Sequence, residues 1–119
     1  MKQKSLFMKN KTKKLLFDIL TAINNVDNYV GEKKYFEDYD TNPMLQDAVE
    51  RNLEIIGEAM NKLLGLDPEI KISNSRRIVD ARNKIIHGYD EIENSQIWGI
   101  IINYLPVLKK EVILLLEEN

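Results

Sequence analysis

The sequence of 119 residues contains no cysteine and a single histidine, His87. The lack of cysteine excludes a disulfide framework, a thiol nucleophile and any zinc site built on thiolates. A zinc site made of protein ligands alone needs several imidazoles or carboxylates, so we predict neither a bound metal nor a cofactor. No apolar run reaches the roughly 20 residues that span a bilayer, and we therefore expect a cytoplasmic protein without a membrane segment.

Length and composition favour one globular domain over residues 1–119. The chain carries 17 Lys+Arg and 19 Asp+Glu, and 44% of its residues are hydrophobic, which is typical of a folded protein. A chain of this size buries only about two thirds of its unfolded surface, so pairing with a second copy would add to a modest core. Residues 1–14 contain six lysines and no acid. We interpret the basic stretch 1–10 as a frayed, solvated terminus or as an arm that attracts the phosphates of RNA.

The apolar residues recur at steps of three and four along most of the chain, which indicates amphipathic helices. The pattern predicts helices at about residues 11–30, 43–64, 75–87 and 94–118. No segment alternates convincingly with a period of two, so a sheet is not expected. We therefore predict an all-α fold, a four-helix up-down bundle with a short third helix.

Glycine and proline are scarce, with five and three residues, and they fall near the predicted helix ends. Asn42 followed by Pro43 suits the start of the second helix, because asparagine accepts from free amides and proline fits the first helical position. Gly31 and Gly65 suit the ends of the first and second helices. Pro106 lies inside the fourth helix and should bend it.

The third helix contains the one unusual local sequence, Arg82-Asn83-Lys84-Ile85-Ile86-His87-Gly88-Tyr89. Its apolar face is defined by Ile78, Val79, Ile85 and Ile86. Arg82 falls near the centre of this face, about 140° around the helix from His87. Because an unpaired buried charge costs several kcal/mol, Arg82 either pairs with a carboxylate from another helix or lines a polar cleft at an interface.

Three residues of this segment, Arg82, His87 and Tyr89, also have a purely structural interpretation. His87 at a helix end can be a C-terminal cap, since an imidazolium suits that end of the helix dipole. Arg82 can be an ion-pair partner or a side chain that extends along apolar surface to water. Tyr89 can be a packing aromatic with a solvated hydroxyl. The local pattern alone therefore does not identify a reaction.

The second helix carries a polar stripe of Arg51, Glu54 and Glu58 opposite its apolar face. Residues three and four apart form ion pairs on a helix surface, so the stripe can be a solvated face. Alternatively, Glu54 or Glu58 supplies a carboxylate that orients Arg82 or His87. Asn52 lies within the apolar stripe and should find a hydrogen-bonding partner there.

The segment from Arg82 to Tyr89 resembles the R-x4-H-x-Y signature of HEPN-domain proteins of the HepT-like toxin family, with Asn83 at the polar position after the arginine. The segment Arg51–Ala59, with the sequence RNLEIIGEA, is similar to the second-helix signature of that family. The resemblance runs from about residue 12 onward and does not include the basic N-terminus.

This resemblance implies an all-helical homodimer in which the motif residues of two protomers face a cleft. Family members are typically metal-independent ribonucleases that act as toxins of a type VII-like toxin–antitoxin pair. Their antitoxin is a small MNT-type nucleotidyltransferase, which is thought to silence the toxin by transferring AMP to the motif tyrosine, here Tyr89. The expected substrate is RNA.

The residue types fit RNA cleavage by the substrate's own 2′-hydroxyl. Such cleavage needs a proton donor or acceptor near pH 7, for which His87 has the suitable side chain. It also needs a fixed cation for the phosphorane-like transition state, and the planar fork of Arg82 matches phosphate oxygens. Asn83 can orient the imidazole or the substrate. AMP on Tyr89, two residues from His87, would add bulk and negative charge where RNA must bind.

Two other interpretations remain open from the sequence. The chain can be a non-catalytic helical dimer that binds a nucleotidyltransferase partner, a nucleotide or both. It can also be a plain structural bundle, although this would leave the motif unexplained. Cleavage of RNA by the native protein and by His87→Ala distinguishes an enzyme from a binding module.

Overall fold

The computed structural model describes residues 6–87 and 92–118, and the regular secondary structure within these residues is entirely helical. The helices are α1 Leu6–Val30, α2 Phe36–Asp40, α3 Pro43–Leu66, α4 Ser75–His87, α5 Asn94–Gly99 and α6 Leu105–Glu118, with a π-helical turn Ile100–Tyr104 between α5 and α6. The predicted all-α fold is confirmed. The expectations for Tyr89 and for the first five residues lie outside the described part of the chain.

The long helices pack in the order in which they follow one another. α1 lies against α3, α3 lies against α4, and α6 returns to α1. The core between them contains fully buried side chains from every long helix except α4, among them Leu16, Ile19, Ile56, Met60 and Leu108. α4 has 13 residues, of which only Ile78 and Val79 are buried. α4, which corresponds to the third predicted helix, is therefore short, as predicted, and it lies on the outside of the core.

Local sequence signals set several of the helix ends. The Asn42 side chain accepts a hydrogen bond from the Leu45 amide at 3.1 Å, and Pro43 is the first residue of α3. Gly31 follows α1 with a φ of +75°, a conformation that glycine adopts without strain. Both predicted ends are thus confirmed. No helix of the described residues has the length and apolarity to cross a membrane.

Two predicted helix boundaries were wrong. α1 begins at Leu6, about five residues before the predicted start, so residues 6–10 are helical. α3 continues through Gly65 and ends at Leu66. It ends there because Asp67 precedes Pro68, and a residue before proline is disfavoured in the α-helical conformation. Asp67 accordingly has φ −146° and ψ 88°.

The last helical stretch departs from α geometry just before its proline. The Leu105 amide donates to the Ile100 carbonyl, five residues back, at the end of the π-helical turn. Pro106 has no N–H to donate to either an α or a π bond, so the π turn cannot extend past it. The structure therefore has a widened turn directly before Pro106, whereas the bend expected at Pro106 stays a prediction.

Candidate active site at the end of α4

The motif arginine lies directly over a glycine of the neighbouring helix. A Cβ atom placed on Gly57 of α3 would lie 2.2 Å from Cβ and 2.8 Å from Cγ of Arg82, and 3.2 Å from the Ile78 carbonyl oxygen. No side chain fits in that space. Gly57 therefore allows α4 to approach α3 closely and seats the stem of Arg82 on the α3 backbone.

The Arg82 guanidinium is half-buried and only partly hydrogen-bonded. Its Nη1 donates to Oδ1 of Asn83 at 2.9 Å, whereas its Nε is buried without an acceptor. Among the described residues, no carboxylate forms an ion pair with Arg82. The guanidinium thus keeps N–H donors for an anion, which is the property that phosphate recognition requires.

Asn83 contacts Arg82 rather than the imidazole. The sequence left open whether its amide orients the imidazole or the substrate, and the structure shows its oxygen accepting from the guanidinium. Because this hydrogen bond joins adjacent residues of α4, it restricts the rotation of the arginine head. Asn83 therefore positions Arg82.

His87 is the last residue of α4, and its side chain is exposed. His87 lies five positions after Arg82, which corresponds to a rise of about 7.5 Å along the helix axis. The exposed imidazole lies where a solvent-borne substrate can reach it. Tyr89, the predicted acceptor of AMP, lies outside the described residues.

Within the described residues, the two candidate supporting carboxylates pair with cations of their own helix, and neither forms an ion pair with Arg82. Glu54 pairs with Arg51 at 3.3 Å, and Glu58 pairs with Lys62 at 3.6 Å, both on the surface of α3. The expected contact with Arg82 is absent because Gly57 is the α3 residue that faces it. Glu58 is directed about 100° away from Gly57 around the helix.

Asn52 finds the partner that its position in the apolar stripe requires. Its Nδ2 donates to the Ala48 carbonyl at 2.9 Å, and its Oδ1 accepts from Nδ2 of Asn25 at 3.2 Å. This pair joins α1 to α3 inside the bundle. Asn52 thus has a structural role that the sequence indicated, whereas the role of Gly57 was missed. The available signal was a glycine in the middle of a helix, which usually has a packing reason.

The fold and the site define an all-helical domain that presents an arginine and a histidine on one short helix. The chain belongs to the HepT-like ribonuclease family, whose model matches residues 19–115. The resemblance stated from the two sequence motifs is thereby confirmed. The match does not include the basic segment at the start of the chain.

Curated relatives support the same assignment. A protein of Methanocaldococcus jannaschii named "Putative RNase MJ1380" is 37% identical over 106 residues, which are 87% of this chain and 95% of the relative. A protein of Thermococcus cleftensis named "Probable ribonuclease HepT" is 36% identical over 86% of this chain and 93% of its own length. A search of the solved structures finds no significant match.

Proposed function

We propose that this protein is a cytoplasmic, metal-independent endoribonuclease, the toxin of a type VII-like toxin–antitoxin pair. The observation that carries the proposal is the placement of Arg82 five positions before the exposed His87 on α4. Gly57 and Asn83 hold Arg82 in place, and its guanidinium keeps N–H donors that have no partner among the described residues. This arrangement occurs in a chain that belongs to the HepT-like ribonuclease family.

The proposed reaction is an internal transfer within RNA. The 2′-oxygen attacks the adjacent phosphorus as a base removes its proton, and the bond from phosphorus to the 5′-oxygen breaks. The leaving oxygen takes up a proton, which yields a 2′,3′-cyclic phosphate and a 5′-hydroxyl end. His87 gives or takes one of these protons, and the histidine of a second copy serves for the other. Arg82 neutralises the charge that develops on the phosphate oxygens.

A homodimer is part of this proposal because one chain contains one histidine. Two features of α4 support it. The Arg82 guanidinium bonds to Asn83 and forms no ion pair among the described residues, and Ile86, one turn further along α4, is 46% exposed. An apolar side chain beside an incompletely bonded arginine suits a surface that a second copy covers.

The nuclease proposal is tested with single-stranded RNA in the presence of EDTA. Native protein should cleave it, and His87→Ala should be slower by a factor of about 10² to 10⁴, the usual contribution of a positioned acid or base. Lys71→Gln, an exposed change outside the site, should cleave like the native protein. Intact RNA with native protein would refute the nuclease and favour the binding-module interpretation.

Silencing by AMP transfer is tested separately. Incubation with an MNT-type nucleotidyltransferase, ATP and magnesium should add the mass of AMP to the native protein and not to Tyr89→Phe. The Tyr89→Phe protein should still cleave RNA and should not be silenced. Equal incorporation of AMP into both proteins would show that another residue is the acceptor.

A further inference from the structure

A cavity of about 360 Å³ lies between α4 and the α5–π segment, on the side of α4 that faces away from α3. Ile92 and Ile100 contribute apolar surface to it, and Arg77, Lys84 and Tyr104 contribute the groups that can recognise a ligand. The sequence offers no sign of this arrangement, because these residues come from α4 and from residues 92–104, which the fold brings together.

Arg77 and Tyr104 form one preorganised wall of the cavity. Nη1 of Arg77 donates a hydrogen bond to the Tyr104 hydroxyl, and the guanidinium carbon lies 5.7 Å from the centre of the phenol ring. Tyr104 belongs to the π-helical turn, and such turns are frequent at functional sites. An aromatic ring and a planar guanidinium are the side chains on which unpaired RNA bases stack.

Among the described residues that line the cavity, two side chains are cationic and one is a carboxylate. Arg77 and Lys84 are two helical turns apart on nearly the same face of α4, about 10 Å along its axis. Asp80 lies between them and contributes one carboxylate to the lining. Within the described part of the chain, none of these three side chains is neutralised by an ion pair. The two cations can therefore contact phosphates on either side of a bound nucleotide.

We propose that this cavity binds one nucleotide of single-stranded RNA and leads the strand toward His87 at the end of α4. The base lies against Tyr104 and the apolar surface of Ile92 and Ile100, and Arg77 and Lys84 bind the flanking phosphates. Lys84 precedes His87 by three residues, so the next phosphate of the strand reaches the end of α4. This inference rests on the proposed ribonuclease function, since it names a substrate-binding site for that activity.

The test measures binding of a 2′-O-methylated single-stranded RNA, which lacks the attacking hydroxyl, so that binding is observed without cleavage. Arg77→Gln and Lys84→Gln should each weaken binding about fivefold or more at low salt. Each should also reduce the slope of log affinity against log salt by about 0.7, the value for one phosphate contact on a single strand. Arg76→Gln removes the charge of an exposed arginine that does not line the cavity and should leave the slope unchanged.

Two further variants test the stacking of the base on Tyr104 and the effect of the Asp80 charge on phosphate binding. Tyr104→Leu should weaken binding of this RNA about fivefold or more, but should not weaken binding of an abasic strand of the same length. Asp80→Asn should tighten binding, because it removes a carboxylate that lies between the two cations of the lining. Thermal unfolding of each variant identifies any that fails to fold, and Lys84→Gln and Asp80→Asn alter only exposed side chains.

The results separate the cavity from the nuclease. The predicted changes in binding, without cleavage of unmodified RNA by native protein, would support the cavity and overturn the proposed enzyme. If the native protein cleaves RNA, and Arg77→Gln, Lys84→Gln and Tyr104→Leu all bind RNA like the native protein, the proposal that the cavity binds a nucleotide is overturned. Equal losses in Arg76→Gln and Arg77→Gln would also overturn it, since they would indicate a diffuse charge effect.

Discussion

Gly57 sets the distance between α3 and α4 at the motif arginine. Its missing side chain brings the Arg82 stem into contact with the α3 backbone. In the same helix, apart from the adjacent residues and the helix's own backbone, no atom lies within 4 Å of the position that a Cβ of Gly65 would take. The two glycines therefore provide a matched pair, because a methyl group added to either has the same effect on the backbone and a different effect on packing.

We predict opposite effects on stability for the two alanine substitutions. Gly57→Ala should lower the free energy of unfolding by about 1–3 kcal/mol, the usual cost of overpacking. Gly65→Ala should raise it by about 0.5–1 kcal/mol, because alanine restricts the unfolded chain and favours the helix. Urea unfolding measures both values. Equal stabilisation by the two changes would contradict the close approach of Arg82 to Gly57.

Glu50 makes stability depend on pH in the direction opposite to that of a salt-bridged acid. Burial, followed by the charges of Asp47 and Glu54, raises the pKa of Glu50 above its usual range. The folded state therefore holds the proton of Glu50 more tightly than the unfolded state does. Its contribution to stability is complete below the ordinary pKa of glutamate and is lost as the pH rises through the raised pKa.

Replacement of Glu50 by glutamine should remove this loss. Relative to the native protein, Glu50→Gln should have a higher melting temperature at about pH 7, and the difference should shrink toward about pH 4. Glu37→Gln, a change at an exposed glutamate of α2, serves as the control. A higher melting temperature for the native protein than for Glu50→Gln at about pH 7 would show that the Glu50 carboxylate forms a favourable contact.

At the scale of elements, α2 is the helix that the sequence did not predict. The centroid of its Tyr39 ring lies 5.7 Å from the centroid of the Trp98 ring of α5, and the centroid of its Phe36 ring lies 5.9 Å from that of Trp98. The Gln46 side chain adds a bond to the Tyr39 carbonyl at 3.0 Å. Tertiary contacts with Trp98 and Gln46, and not intrinsic helix propensity, therefore hold α2 in place.

Loss of the tryptophan should release α2 while the long helices persist. Trp98→Ala should lower the free energy of unfolding by about 2 kcal/mol, less than for a fully buried tryptophan because Trp98 is only partly buried. Amides of residues 36–40 should exchange with solvent much faster, as measured by mass spectrometry. Tyr35→Ala, a change at an exposed ring beside α2, should leave that exchange unchanged.

The long helices could be predicted because their apolar residues repeat over several turns. Five residues are too few to show such a period, which is why the sequence assigned α2 to a connection. The π-helical turn was also beyond prediction, since a bond from Leu105 to Ile100 leaves no mark on the apolar pattern. Arg82, Asn83 and His87 could be found as a local motif, whereas the roles of Gly57 and of the Arg77–Tyr104 pair depend on how helices pack.

At the scale of the whole molecule, the proposed homodimer places Ile86 in the interface. Ile86→Glu should disfavour association by burying a charge, so light scattering at micromolar concentration should give the mass of one chain instead of two. RNA cleavage should fall with it. Phe17→Glu changes an exposed aromatic of α1 and should leave the native mass unchanged. A native protein that is strictly monomeric would contradict the dimer altogether.

The position of α4 on the outside of the core has a consequence for how the protein loses activity on heating. Within one chain, only two residues of this helix are buried, Ile78 and Val79, whereas eight residues of α3 are buried. Elements with few buried contacts open locally, at free energies below that of global unfolding. Native-state hydrogen exchange should therefore find α4 opening while α3 stays closed. RNA cleavage should then fail several degrees below the midpoint at which the helical circular dichroism signal disappears.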